Sequence, residues 1–137
     1  MFRRTLITAA FAALVSAAPA RADNARGAEA HWCMLTQFQI TQVASLHETA
    51  AEGRGAVNRL IGAQLFVPAQ PGLTPEWIRA NLARHAKEPG THPSCPIDLP
   101  GVTTAVTSGG TGFWIQISSA DAKTAQEILE RARRVLS

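Results

Sequence analysis

Apolar residues first gather in one short, nearly unbroken run at residues 6–18, and afterwards recur in shorter stretches with two different periods. Residues 36–46 carry Phe38, Ile40, Thr41 and Val43, β-branched and aromatic types that predict a strand, with a bulge where alternation breaks after Ile40. Residues 48–55 are polar and contain Gly53 and Gly55, which predicts a turn, and residues 57–67 resume an apolar run closed by Pro68, a second strand. The string Pro71-Gly72-Leu73-Thr74-Pro75-Glu76 is a helix start. Thr74 is placed to cap the free amides, Pro75 suits the first helical position, and Glu76 faces the positive end of the helix dipole. This helix is predicted to run to about Lys87, with Ile78, Leu82, His85 and Ala86 on one face and Pro89-Gly90 as the stop.

Prolines at positions 89, 93, 96 and 100 make residues 89–100 an extended loop that cannot join a sheet interior. Residues 102–108 and 113–118 flank Gly109-Gly110-Thr111-Gly112 and predict a β-hairpin in which Phe113, Ile115 and Ile117 alternate with Trp114, Gln116 and Ser118. A last helix is predicted from Ser118 or Ser119, with Asp121 in its first turn and Ala125, Ile128, Leu129, Ala132 and Val135 as its buried stripe. The order strand, strand, helix, twice over, gives two ββα units. Each helix needs a sheet face to cover its stripe, so the pattern predicts an α+β fold: a four-stranded, largely antiparallel sheet with two helices on one face.

The first apolar run belongs to a different kind of segment. Arg3 and Arg4 precede it and Ala20-Arg21-Ala22 follows, the three parts of a cleavable signal peptide over residues 1–22. The expected organisation is then a flexible N-terminal arm at 23–35 and a single domain at 36–137, periplasmic or secreted, with no stable membrane span after cleavage. Removing residues 1–22 takes away Arg3, Arg4 and Arg21 and no acid, so the formal charge of +3 falls to zero. A neutral domain has no general attraction for phosphate backbones, which argues against a nucleic-acid partner. The one basic cluster, Arg131, Arg133 and Arg134, falls in the last turns of a helix, where cations complement the dipole.

Candidate chemistry centres on two cysteines and four histidines. In an oxidising compartment Cys33 and Cys95 predict a disulfide, which would close a loop of about 60 residues and contribute on the order of 4 kcal/mol. The competing reading is a metal site. His31 lies two residues from Cys33, His92 three from Cys95, and His85 ends the helix that leads into the same loop. Imidazole and thiolate suit zinc or copper, making His85, His92, Cys95, His31 and Cys33 candidate ligands, although neither half has paired C-x-x-C spacing. A third reading pairs Cys95 as nucleophile with His92 or His85 in a Cys/His-dependent hydrolase.

Enzyme signatures are otherwise missing. His47-Glu48 lacks the second histidine of a zinc-protease helix, no G-x-S-x-G turn occurs, and Gly53-Arg54-Gly55 opens no helix. No cofactor is required by any motif. Trp32, Trp77 and Trp114 are candidate ligand platforms, Trp114 on the strand face opposite Phe113 and Ile115.

The strings Leu65-Phe66-Val67-Pro68, Gly72-Leu73-Thr74-Pro75-Glu76-Trp77, His85, Cys95-Pro96 and Gly109-Gly110-Thr111-Gly112-Phe113-Trp114 together resemble a family of small, exported, uncharacterised bacterial proteins. The resemblance implies export and a compact domain, and no activity. Its helix-ending histidine with a following Cys-Pro adds weight to metal binding. The sequence thus reads as an exported binding module for an unknown protein or a metal ion, more readily than as an enzyme; a disulfide-stabilised structural or protein-interaction domain is the alternative.

Overall fold

A computed structural model describes residues 33–87 and 92–136 of the chain. The signal-peptide segment, most of the arm, His31, Trp32 and the Pro89-Gly90 stop lie outside the described residues.

The α+β expectation holds. Strands β1 (Gln42–Glu52) and β2 (Gly55–Pro68) form a hairpin, helix α1 (Pro75–His85) follows, β3 (Val102–Ser108) and β4 (Gly112–Ser119) form a second hairpin, and α2 (Ala122–Leu136) completes the order. All pairings are antiparallel and the sheet order is β1-β2-β4-β3. The two hairpins therefore meet along one seam, β2 against β4. Register places Val43 opposite Leu65, Leu65 opposite Ile115, and Ile115 opposite Val106, so one row of apolar side chains crosses the whole sheet on a single face. Ile78 and Leu82 of α1 and Ile128, Leu129 and Ala132 of α2 join that row in one core. Both helices cover this face, α2 lying mainly over β2 and α1 beside β3.

On the opposite face Phe66 and Trp114, directly paired across the seam, pack with ring centroids 4.9 Å apart and planes tilted by 54°. Gly109 makes room for them: a Cβ there would lie 2.5 Å from the Trp114 ring.

Several features differ from the sequence reading, each for a local reason. Residues 36–41 are not strand. Met34–Gln37 form a 3-10 turn, and Cys33, Met34, Leu35 and Phe38 are buried, so the packed domain takes in the last three residues assigned to the arm. The first strand instead runs through the polar stretch read as a turn, because ladder hydrogen bonds need no apolar side chains. Glu48 pairs opposite Arg59 with an ion pair across the strands, and the chain reverses only at Gly53, whose φ is 59°. The bulge falls between Leu46 and His47, where Ile61 is the extra residue before Gly62, and not after Ile40. A Cβ on Gly62 would sit 2.0 Å from the Ile117 carbonyl oxygen, which is why glycine occupies the point where β2 bends over β4.

Helix α1 starts as expected, with the Trp77 amide donating to Thr74 Oγ1 at 3.2 Å, and ends at His85, two residues early. Helix α2 starts at Ala122, because β4 persists through Ser119 and Asp121 acts as the cap: its Oδ2 accepts from the Thr124 amide and hydroxyl, both at 2.7 Å. At the β3 edge of the sheet, Arg79 of α1 donates to the Val106 carbonyl at 2.8 Å. Among the described residues no helix is long and apolar enough to cross a membrane.

Candidate functional site

The proline-rich loop carries a single turn of 3-10 helix, Pro96–Asp98, with Cys95 as its N-terminal flank and the Asp98 amide bonded to the Cys95 carbonyl at 3.3 Å. Side chains three apart eclipse one another in this geometry, so Cys95 and Asp98 face the same way. They face the end of α1. His85 Nε2 lies 2.7 Å from Asp98 Oδ1, with the His85 side chain 14% exposed and that of Asp98 5%. The second carboxylate oxygen, Oδ2, is buried and has no hydrogen-bond partner. A ring nitrogen of His85, Cys95 Sγ and an Asp98 oxygen all lie within 4.8 Å of one another.

Helix α2 closes the site from the other side. Arg131 donates from its Nη1 to the Cys95 carbonyl at 3.4 Å and from its Nε to Glu127 at 2.7 Å. That hydrogen bond, with the guanidinium charge, holds the Glu127 carboxyl below its ordinary range. Arg131 thus anchors the turn while its own charge is balanced.

Cys95 is bonded to Cys33, and no free cysteine occurs among the described residues. The disulfide reading is therefore the one realised, and it revises the competing two. Neither sulfur is a thiolate ligand in this state, and Cys95 is not the free nucleophile that a Cys/His-dependent hydrolase requires. Of the five residues proposed as metal ligands, only His85 and Cys95 contribute to the converging group. Cys33 is present as the partner of Cys95, and His31 lies outside the described residues. His92 is buried and its carbonyl accepts from the Cys95 amide at 3.1 Å, but its ring is not among the three converging groups. The member missed in the sequence is Asp98, whose only signal was its place three residues after Cys95.

Two surface grooves lie elsewhere. One, of about 240 Å³, is floored by Phe38, Val67 and Trp77 and rimmed by Gln39 and Gln70; the other, of about 260 Å³, runs between Glu48, Arg59, Thr103 and Ser118. Neither reaches His85, His92 or Cys95.

No known protein family, curated protein or solved structure matches this chain.

Proposed function

We propose that this protein is an exported binding module whose centre, His85, Asp98 and the sulfur of Cys95 once its bond to Cys33 is reduced, holds a transition metal, zinc or copper. The observation that carries the reading is the buried Asp98 Oδ2 without a partner, beside an imidazole and a sulfur. An unpaired buried carboxylate oxygen is costly, about 1–3 kcal/mol, and a cation bound between these groups offsets that cost. Imidazole nitrogen, carboxylate oxygen and thiolate sulfur are all ordinary zinc ligands, and imidazole with thiolate also serves copper. Export rests on the basic, apolar and small-residue sequence of residues 1–22 and agrees with an intramolecular disulfide.

The test is metal stoichiometry on mature protein reduced without oxygen. About one zinc or copper per chain is expected for the native protein, and a loss of at least tenfold in affinity for Asp98→Asn and His85→Ala, each checked for native circular dichroism. Reduced, folded protein that takes up neither metal sinks the reading.

A disulfide-stabilised interaction domain is the second reading. The paired rings of Phe66 and Trp114 on the sheet face away from the helices favour it.

A further inference from the structure

Resting on that metal-binding reading, we infer that the Cys33–Cys95 disulfide is a gate on the centre: its reduction creates a zinc site and its re-formation expels the ion. The geometry requires no large movement. Cys95 Sγ already lies within 4.8 Å of a His85 ring nitrogen and an Asp98 carboxylate oxygen, so a contraction of about 1 Å brings the three donors onto one ion. What it lacks while bonded to Cys33 is the negative charge of a thiolate, the form of cysteine that binds metal.

The two sulfurs are not equivalent. Cys95 is fully buried, while Cys33 is 7% exposed. An incoming thiolate of a dithiol reductant attacks Cys33 Sγ, and Cys95 Sγ departs with the electron pair of the broken S–S bond, toward His85 and Asp98. The second thiol of the reductant then attacks its own sulfur in the mixed disulfide and frees Cys33. The dithiol is oxidised to a disulfide and the Cys33–Cys95 pair is reduced by the same two electrons. In the reverse direction a disulfide oxidant removes two electrons from the two sulfurs, and the ion loses its thiolate ligand.

Charge and donor type select zinc over copper. A dication held by the Cys95 thiolate, the Asp98 carboxylate and a neutral His85 imidazole has no net charge, which suits a site as buried as this one. The mixed sulfur, nitrogen and oxygen set fits zinc, whereas copper under reducing conditions is copper(I) and favours sulfur-rich sites. Arg131, which donates to the Cys95 carbonyl of the turn, is paired with Glu127 and so does not compete for the anions. With the disulfide closed, His85 and Asp98 remain as two donors, too few for tight binding.

The experiment measures zinc uptake by the mature protein in three forms. These are the oxidised protein, the protein reduced with a phosphine and desalted without oxygen, and Cys33→Ser, which leaves Cys95 without a bonding partner. The expected result is about one zinc per chain for the reduced protein and for Cys33→Ser even without reductant, with oxidised protein at least about 100-fold weaker. Adding oxidised glutathione to the zinc-loaded wild type should release zinc as the intramolecular Cys33–Cys95 bond re-forms, read by intact mass; release that accompanies only a glutathione adduct, with no internal bond, overturns the gate. If reduction unfolds the chain, recovery of the native circular dichroism signal on adding zinc supports the gate, and failure to recover it or take up zinc overturns it. Equal uptake by oxidised and reduced protein overturns the gate while leaving the metal site standing. No uptake by any form removes both.

Discussion

Gly62 shows how one atom constrains the sheet. Its missing Cβ is what allows the Ile117 carbonyl to approach, and its φ of 154° adds a conformation that side chains rarely adopt. Gly62→Ala is expected to lower stability by about 2–3 kcal/mol, seen as a lower urea midpoint, since the clash is with backbone and cannot be relieved by a rotamer change. Only a part of such detail was legible in the sequence. His85 and Cys95 stood out because imidazole and sulfur are chemically rare in this chain, whereas Asp98 is one carboxylate among several. Its relation to Cys95 depends on the 3-10 turn, and a loop of four prolines predicts extension and hides that turn. His31, His92 and Cys33 were grouped by distance along the chain, which says nothing about the direction in which a side chain points.

At the scale of elements, the readings succeeded where side-chain chemistry dictates the boundary and failed where the backbone does. Thr74 and Pro75 specify the start of α1 unambiguously. The outer half of the β1–β2 arm escapes a sequence reading because it is paired by main-chain hydrogen bonds with no side chain fully buried, so no apolar period marks it. The start of α2 was set a few residues early because Ser118, Ser119 and Asp121 are all good caps. Asp121 wins, and the Thr124 amide, followed by the Thr124 hydroxyl, holds its carboxyl below the ordinary aspartate range. A pKa that folding depresses contributes stability above the unfolded-chain value, and that contribution disappears as pH falls through the folded value. Asp121→Asn should therefore match the native protein in stability at the acid end and fall behind it as pH rises through the aspartate range. Thermal unfolding of the pair across that range is the check; a gap that widens toward acid contradicts the assignment.

For the whole molecule, the disulfide links the segment ahead of β1 to the connection between the two ββα units, across 62 positions of sequence. In the chain-entropy model such a closure contributes about 4 kcal/mol. Reduced protein in a metal-free buffer is expected to lose about that much, and guanidinium titrations with and without reductant measure it. The α+β class was legible because each helix stripe demands a sheet to cover it. The order β1-β2-β4-β3 was not, since nothing local says which hairpin strands form the seam. That order leaves β3 as an outer strand whose outward carbonyls face solvent, the kind of edge on which other chains add strands of their own. The Arg79 guanidinium on the Val106 carbonyl obstructs this with a charge and an occupied acceptor. Arg79→Ala should leave the monomer folded yet raise its tendency to self-assemble, appearing at high concentration as larger species in light scattering; unchanged scattering would show that the arginine guards nothing.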